Sequence, residues 1–467
     1  MFIDAMQTDD TTTENGMPAH TTSGHYVLDF FSKSGALRAD KKLKDGLKMF
    51  KAAFSEDPLL ATKALFYSRD VRGGQGERQL FRDIINWLAH NHPHVIVKNI
   101  GQIPEFGRWD DLKALTNTPV QTPAIQMWTE AIEGGNGLAA KWLPRKGPWF
   151  AWTKNASGMK CGSWRRKVAS LTSVVESQMC RNEWGEINYS HVPSVANTKY
   201  LKAFHRRDGE RYRQFLQKAV KGEVKINSST LYPSDLVKMV LPSYYGDAIN
   251  NSTADALWKQ LPDWISGSNQ QILAVCDVSG SMNGEPLQVS IALGLYVSER
   301  LQGPFKDVIC TFSDNPEFVR ITGNTLSDRV SNLARVAWNM STNLEAVFGL
   351  MLGRALKNNL PADQMPTTIL IISDMQFNQC VSEPSASAMK MIRKKYAEAR
   401  YEIPKVVFWN VRASKGQPAK HNDKGVALVS GYSPSIMKSI LDMKPMATPT
   451  DLMLETLNAP RYEAITI

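Results

Sequence analysis

Ile272-Leu273-Ala274-Val275-Cys276-Asp277-Val278-Ser279-Gly280-Ser281 decides how the second half of the chain is read. Five apolar residues without a polar break are the pattern of a strand buried on both faces, as in parallel sheets. The run ends at once in an aspartate followed by two spaced hydroxyls. Val308-Ile309-Cys310-Thr311-Phe312, Thr368-Ile369-Leu370-Ile371-Ile372-Ser373 and Val406-Val407-Phe408-Trp409-Asn410-Val411 repeat the type. Helical patterns fall between them, over residues 287–301, 344–357 and 386–400. Strand and helix in alternation predict a doubly wound α/β domain over residues 266–467. Its start is marked by the polar, glycine-containing stretch Trp264-Ile265-Ser266-Gly267-Ser268-Asn269.

Such sheets hold their ligands at the carboxyl ends of the strands. Three loops predicted there carry oxygen donors: Asp277, Ser279 and Ser281 after the first strand, Thr342 within Met340-Ser341-Thr342-Asn343-Leu344-Glu345, and Asp374 after Ser373. Two carboxylates and three hydroxyls suit a hard cation, and magnesium, which wants six oxygens and keeps water, fits best. Five protein groups leave one position, which an acidic side chain of a partner protein could fill. The set resembles the metal-ion-dependent adhesion site of von Willebrand factor A domains. Asp277, Ser279 and Ser281 match that family's DxSxS signature, and Thr342 and Asp374 match its second- and third-loop ligands. Met340-Ser341 stands where glycines are common in the family, and Met375 where a glycine often follows the aspartate.

Upstream, the texture is helical from about residue 27 to residue 249. Asp57-Pro58-Leu59-Leu60 reads as a capped helix start, with Leu59, Ala61, Leu65 and Phe66 at helical spacing. Gly73, Gly74 and Gly76 mark a turn, and residues 77–90 form a further amphipathic pattern. Short helices in series predict a HEAT-like solenoid or ring over residues 26–265. Residues 1–25, with Asp4, Asp9, Asp10 and Glu14 among small polar residues, are expected to be a flexible tail and carry no signal-peptide pattern. The chain of 467 residues is 43% hydrophobic, enough for a sizeable core, yet no run of about 18 apolar residues could span a membrane. Five scattered cysteines without CxxC or Cys/His clustering argue against a disulfide scaffold or a zinc site, and a reducing, cytoplasmic setting is expected.

The net charge of +10 is uneven. Residues 141–225 hold 18 Lys/Arg against 6 Asp/Glu, a net of +12, so the remainder sums to −2. A local excess of this kind marks a polyanion partner. Within it, Trp142, Trp149, Phe150, Trp152 and Trp164 interleave with Lys141, Arg145, Lys146, Arg165, Arg166 and Lys167, a mixture suited to stacked bases and paired phosphates. A second stretch brings Arg206, Arg207, Arg211 and Arg213. Arg207, Arg211 and Lys218 at i, i+4 and i+11 would lie on one helix face.

A helical region followed by a metal-site A domain is similar to the Ro ring autoantigen family and its TROVE module. The likeness rests on Asp57-Pro58-Leu59-Leu60, Arg72-Gly73-Gly74, residues 100–109 and Leu231-Tyr232-Pro233-Ser234-Asp235-Leu236-Val237. Arg72-Gly73-Gly74-Gln75-Gly76-Glu77-Arg78, Lys141-Trp142-Leu143-Pro144 and Asp374-Met375-Gln376-Phe377 resemble more closely an uncharacterised plant and viral family of the same layout. The resemblance implies a helical ring closed by the A domain, which binds small or misfolded RNA. Arg72–Glu77 lacks the GK[ST] of a phosphate loop, and no nucleophile-base pair stands out, so an enzyme is not expected. The rival expectation is a metal-dependent protein-interaction or virion structural protein whose basic stretch is incidental.

Overall fold

The computed structural model describes residues 11–38, 43–241, 248–268, 270–336, 341–382, 384–414 and 416–467. Among them β1 (Thr11–Thr12) and β2 (Pro18–Ala19) form a small antiparallel hairpin. β3 (Ile272–Cys276), β4 (Val308–Thr311), β5 (Phe318–Arg320), β6 (Thr368–Ser373), β7 (Lys405–Asn410) and β8 (Val426–Ser430) form one sheet in the order β5-β4-β3-β6-β7-β8. Every neighbouring pair is parallel except β4 with β5. A helical region followed by an α/β domain with a mostly parallel six-stranded sheet is therefore present as expected. The strand order reverses between β3 and β6, so the ligand-binding switch point of a doubly wound sheet falls beside Asp277 and Asp374.

Side chains alternate across this sheet with the two-residue period of a strand. Leu273, Val275, Ile369, Ile371, Val406 and Phe408 join one core, while Ala274, Cys276, Leu370, Ile372, Val407 and Trp409 join another. Neither core belongs to the α/β domain alone. Buried residues from Val27 to Val168 share the first, and those from Val175 to Ile265 share the second. The boundary near residue 265 thus separates helix from sheet but not two independent cores. The helical region is two groups, each laid against its own side of the sheet, because a sheet apolar on both faces must be covered on both.

The Arg72–Arg78 turn ties these parts together. Gly76 takes φ +71°, and a Cβ there would lie 2.0 Å from the Tyr232 hydroxyl, so only glycine fits. That hydroxyl donates to the Gln75 carbonyl at 3.0 Å. The buried Gln75 amide donates to the Phe31 carbonyl at 3.0 Å and to Ser430 Oγ at 3.3 Å. Arg38 lies over the rings of Tyr232 and Tyr432 and pairs with Glu77 at 2.7 Å. Burial pushes the Glu77 carboxyl up to about 7 against the pull of that arginine. Tyr232→Phe removes the bond to Gln75 and the one from Arg38 while keeping the ring, so an equilibrium urea titration should show a loss of about 2–4 kcal/mol.

The expected tail over residues 1–25 needs correction for residues 11–25, while residues 1–10 lie outside the described set. The β1–β2 hairpin pairs with the α/β domain through bridges between Gly16 and Asn378 and between His20 and Gln417. Thr13 Oγ1 donates to the Phe377 carbonyl at 2.6 Å, and Met17 is buried. Polar composition misled here because this segment is fixed by distant hydrogen bonds and by one apolar anchor.

Candidate metal centre and basic cleft

The residues predicted to hold a cation are brought to one end of β3 and β6. Asp277 is fully buried directly after β3; its Oδ1 accepts from the Ser279 amide at 2.9 Å and its Oδ2 from Ser373 Oγ at 2.5 Å. Ser279 Oγ lies 3.1 Å from Ser281 Oγ, and the Ser281 hydroxyl bonds to the Asp374 carboxylate. Asp374 Oδ1 also accepts from the Gln376 amide at 3.1 Å. Burial, and next the neighbouring Asp374 charge, push the Asp277 carboxyl up to about 7. Burial likewise raises Asp374, which Arg412 partly counters. Arg412 itself is anchored on the Ser281 carbonyl.

Thr342 is buried on the rim of this group, but its hydroxyl is engaged elsewhere. It donates to the Gln376 carbonyl at 2.6 Å, lies 3.0 Å from Asn378 Oδ1, and accepts from Asn15 Nδ2 at 3.1 Å. Among the described residues no three His, Cys, Asp or Glu side chains converge on a point that could hold a metal. The candidate set has two carboxylates and depends on hydroxyl oxygens for the rest. Met375, in place of the commoner glycine, takes φ +65°. That left-handed backbone costs about 1–2 kcal/mol for a residue with a Cβ. Burial of the methionine side chain, only 4% exposed, offsets it. Met340 lies outside the described residues.

A cleft of about 1610 Å³ lies between the two helical groups and reaches the α/β domain at residues 433–435. Arg72, Arg78, Arg108, Lys141, Arg181 and Lys199 line it. Arg72, Arg108 and Arg181 are paired with Glu105, Asp110 and Glu183 at 3.0, 3.0 and 2.8 Å. Arg78 and Lys141 form no ion pair among the described residues. Burial and the nearby guanidinium groups of Arg108, Arg69 and Arg82 hold Arg78 below its usual pKa. Behind the wall, Arg69 is 1% exposed and bonds Asp111 at 2.7 Å, which also accepts from Arg82 at 2.7 Å. Glu77, Glu176 and Glu186 share the lining, so the cleft is mixed in charge with an excess of cations.

The ten candidate RNA contacts are scattered by comparison. Lys141 alone among them lines the cleft. Arg145 donates to the Ala140 carbonyl and to Thr172 Oγ1, and Lys167 to the Glu133 carbonyl. Arg165 lies over the Phe150 ring, and Arg213 pairs with Glu210. Lys146, Arg166, Arg206 and Arg207 are exposed. Arg211 is occupied by Asp208 and by the carbonyls of Ile187 and Trp184, with its guanidinium over Tyr189. The continuous stripe of Arg207, Arg211 and Lys218 does not form. Asp208 has φ −144° and ψ 41°, which kinks the Ser194–Val220 helix between the first two members. The aromatic platform is broken up: Trp149, Phe150 and Trp164 are buried, Trp152 is half-buried, and Trp142 lines the cleft with Arg108 over its ring at 4.2 Å.

Sequence reasoning missed Arg69, Arg78 and Arg108 because each lies near acids in sequence and a charge window averages them away. It also missed Asn15 and Arg412 at the metal centre, for which no local pattern exists. Among the described residues no helix is long and apolar enough to cross a membrane.

Residues 13–133 and 163–269 match a domain of unknown function (DUF2828), and residues 271–460 match another (DUF7788). An uncharacterised protein of Acanthamoeba polyphaga mimivirus, L728, is 31% identical over 501 residues, covering 95% of this chain and 86% of its own length. The crystal structure of the Deinococcus radiodurans RO (RSR) protein is similar in extent, with 12% identity and a TM-score of 0.35 over 95% of this chain and 96% of the other.

Proposed function

Since this chain belongs to the family shared with the mimivirus protein, its helical part matching one domain of unknown function and its α/β part another, we propose a two-part, non-enzymatic binding role. The helical groups hold RNA, small or misfolded, in the cleft between them. The α/β domain holds one magnesium ion and presents it to an acidic partner or uses it to order the junction. The observation that carries the first part is the cleft itself, with Arg78 and Lys141 unpaired on its wall. Phosphates would pair with these cations, while Trp264 on the same lining offers a face for an unpaired base. The cleft replaces the outward arginines of residues 206–213 as the contact surface.

For the second part, the donor set fits a hard cation. It is all oxygen, and burial penalises the charge of both carboxylates. Asp277, Ser279, Ser281 and Asp374 would hold the ion, with Thr342 joining once its hydroxyl is freed. When bound, the ion supplies positive charge at a face open to a carboxylate. Asp277 and Asp374 anchor that charge, and Ser373 and the Ser279 amide fix the angle of Asp277.

Salt dependence tests the RNA reading. If about five phosphates are paired on single-stranded RNA, log affinity should fall against log salt with a slope of roughly −3.5, at about −0.7 per contact. Fluorescence polarisation with a short unstructured RNA would measure it. Absence of salt-dependent binding removes the RNA role and leaves a metal-dependent protein-interaction or virion component.

A further inference from the structure

We propose that the cleft selects bases as well as phosphates: an RNA strand lies with its backbone on the first helical group and its bases against the second, where the Glu186 carboxylate takes guanine. This selection presupposes the RNA reading above and deepens it. Charge is divided between the two walls. Residues 38–142 of the lining carry six cations and one acid, Glu77, which Arg38 already holds. On the facing wall, residues 175–264, Arg181 and Lys199 are matched by Glu176 and Glu186, and Arg181 is paired with Glu183. A carboxylate disfavours a phosphate beside it, so the backbone is driven to the first wall and the bases to the second. The second wall suits them, since Trp264 offers a ring and Val195, 56% exposed, an apolar surface. Glu176 is engaged there, accepting from the Tyr200 hydroxyl at 3.1 Å. Glu186 is exposed, and its carboxylate makes no hydrogen bond or ion pair among the described residues. Its backbone, by contrast, is fixed. Arg211 donates to the Trp184 and Ile187 carbonyls at 2.6 and 2.9 Å, and Gln178 Nε2 to the Glu186 carbonyl at 3.1 Å. Arg211, expected from sequence to touch RNA, thereby holds the turn that carries Glu186. A carboxylate only accepts. Among the four RNA bases guanine alone presents two adjacent donors, N1–H and N2–H₂, on its Watson–Crick edge, so both oxygens are used at once. Uracil presents one N–H between two carbonyl oxygens that the carboxylate repels.

Fluorescence polarisation on the full chain tests this with a short oligouridine and the same oligomer carrying one central guanosine or inosine, so that the phosphate count is constant. The guanosine oligomer should bind at least about fivefold more tightly than oligouridine, the lower end of what a bidentate base contact gives. Inosine, which lacks the N2 amino group, should fall between them. Glu186→Ala, a change at an exposed position, should bring the guanosine-to-uridine ratio to about one while the salt slope stays. Glutamate at both Arg78 and Lys141 should do the reverse, weakening all three oligomers and keeping the ratio. Equal affinity for guanosine and uridine in wild type overturns base selection and leaves the RNA reading standing. A guanosine preference that survives Glu186→Ala overturns the role of Glu186, and inosine that binds as well as guanosine overturns the two-donor contact. A ratio lost in the Arg78 and Lys141 variant overturns the assignment of the walls. Wild-type protein that binds none of the oligomers overturns both this selection and the RNA reading.

Discussion

Glutamate at both Arg78 and Lys141 should lower RNA affinity by roughly 10²- to 10⁴-fold, since each charge-assisted contact removed is worth about 1.5–3 kcal/mol. The loss should be similar for every RNA sequence, because phosphate contacts carry no sequence information. The salt slope should flatten by about 1.4, two contacts at about 0.7 each. The matched control is glutamate at Arg206 and Arg207, which are exposed and outside the cleft. Both pairs carry the same change in net charge, so a general electrostatic effect would weaken them alike. Equal losses would mean a general charge effect and remove the cleft as the contact surface, a larger loss at Arg206 and Arg207 would return it to the outward arginines, and no loss in either variant would end the RNA reading. Among the described residues neither Arg78 nor Lys141 forms an ion pair whose rupture could unfold the wall. Arg69 and Arg108 are unsuitable for this test, because their removal strands buried or half-buried carboxylates.

How much of this was readable before any coordinates existed depended on whether a residue's fate was set locally. Ile272 to Cys276 could be placed because a two-sided sheet demands an unbroken apolar run, and the candidate oxygen donors Asp277 and Asp374 could be placed at the strand ends that topology brings together. Asp208 shows the opposite case. Helical spacing continues through it, but its carboxylate accepts from the Tyr189 hydroxyl at 2.8 Å and from Arg211, and those tertiary bonds accompany the kink. Arg211 was thereby turned from a surface cation into a partner of the helix's own bend. The tryptophans of residues 142–164 were equally ambiguous, since an aromatic that stacks on a base and one that fills a core have the same composition around them.

The cleft was hidden for a related reason. Arg78 and Arg108 sit beside Glu77, Asp110 and Asp111 in sequence, so the local balance is near neutral. In space Glu77 is taken by Arg38 and Asp111 by Arg69 and Arg82, so Arg78 keeps its charge on the cleft wall while Arg108 stays paired with Asp110. Net charge per window measures only what the chain carries, while the fold decides which sign faces outward. The hairpin of residues 11–19 escaped for want of any pattern at all: its strands are two residues each, and its partners lie more than 300 residues away.

Asp277→Asn should abolish magnesium-dependent stabilisation while leaving the metal-free protein at least as stable as wild type. In wild type, magnesium at about 100 times its dissociation constant should add about 2.7 kcal/mol to the free energy of unfolding. Asparagine has nearly the shape of aspartate, so its oxygen can still accept from the Ser279 amide and its NH₂ can face Ser373 Oγ, which can turn to accept. What disappears is a fully buried charge set close to that of Asp374, the group that an ion would satisfy and that costs free energy without one. Loss of the fold and loss of the ion are therefore separable in a single experiment, thermal or urea unfolding with and without magnesium. Ser279→Ala and Ser281→Ala should weaken the ion less, since each removes a neutral oxygen. If Asp277→Asn still gains stability from magnesium as wild type does, the ion binds elsewhere. If the variant is severely destabilised without metal, Asp277 serves the packing of β3 against β6 and the oxygen cluster is structural. RNA affinity measured on the same variant should be unchanged, because the cleft is lined by neither Asp277 nor Asp374; a parallel fall would mean that the ion orders the helical groups through the sheet they share.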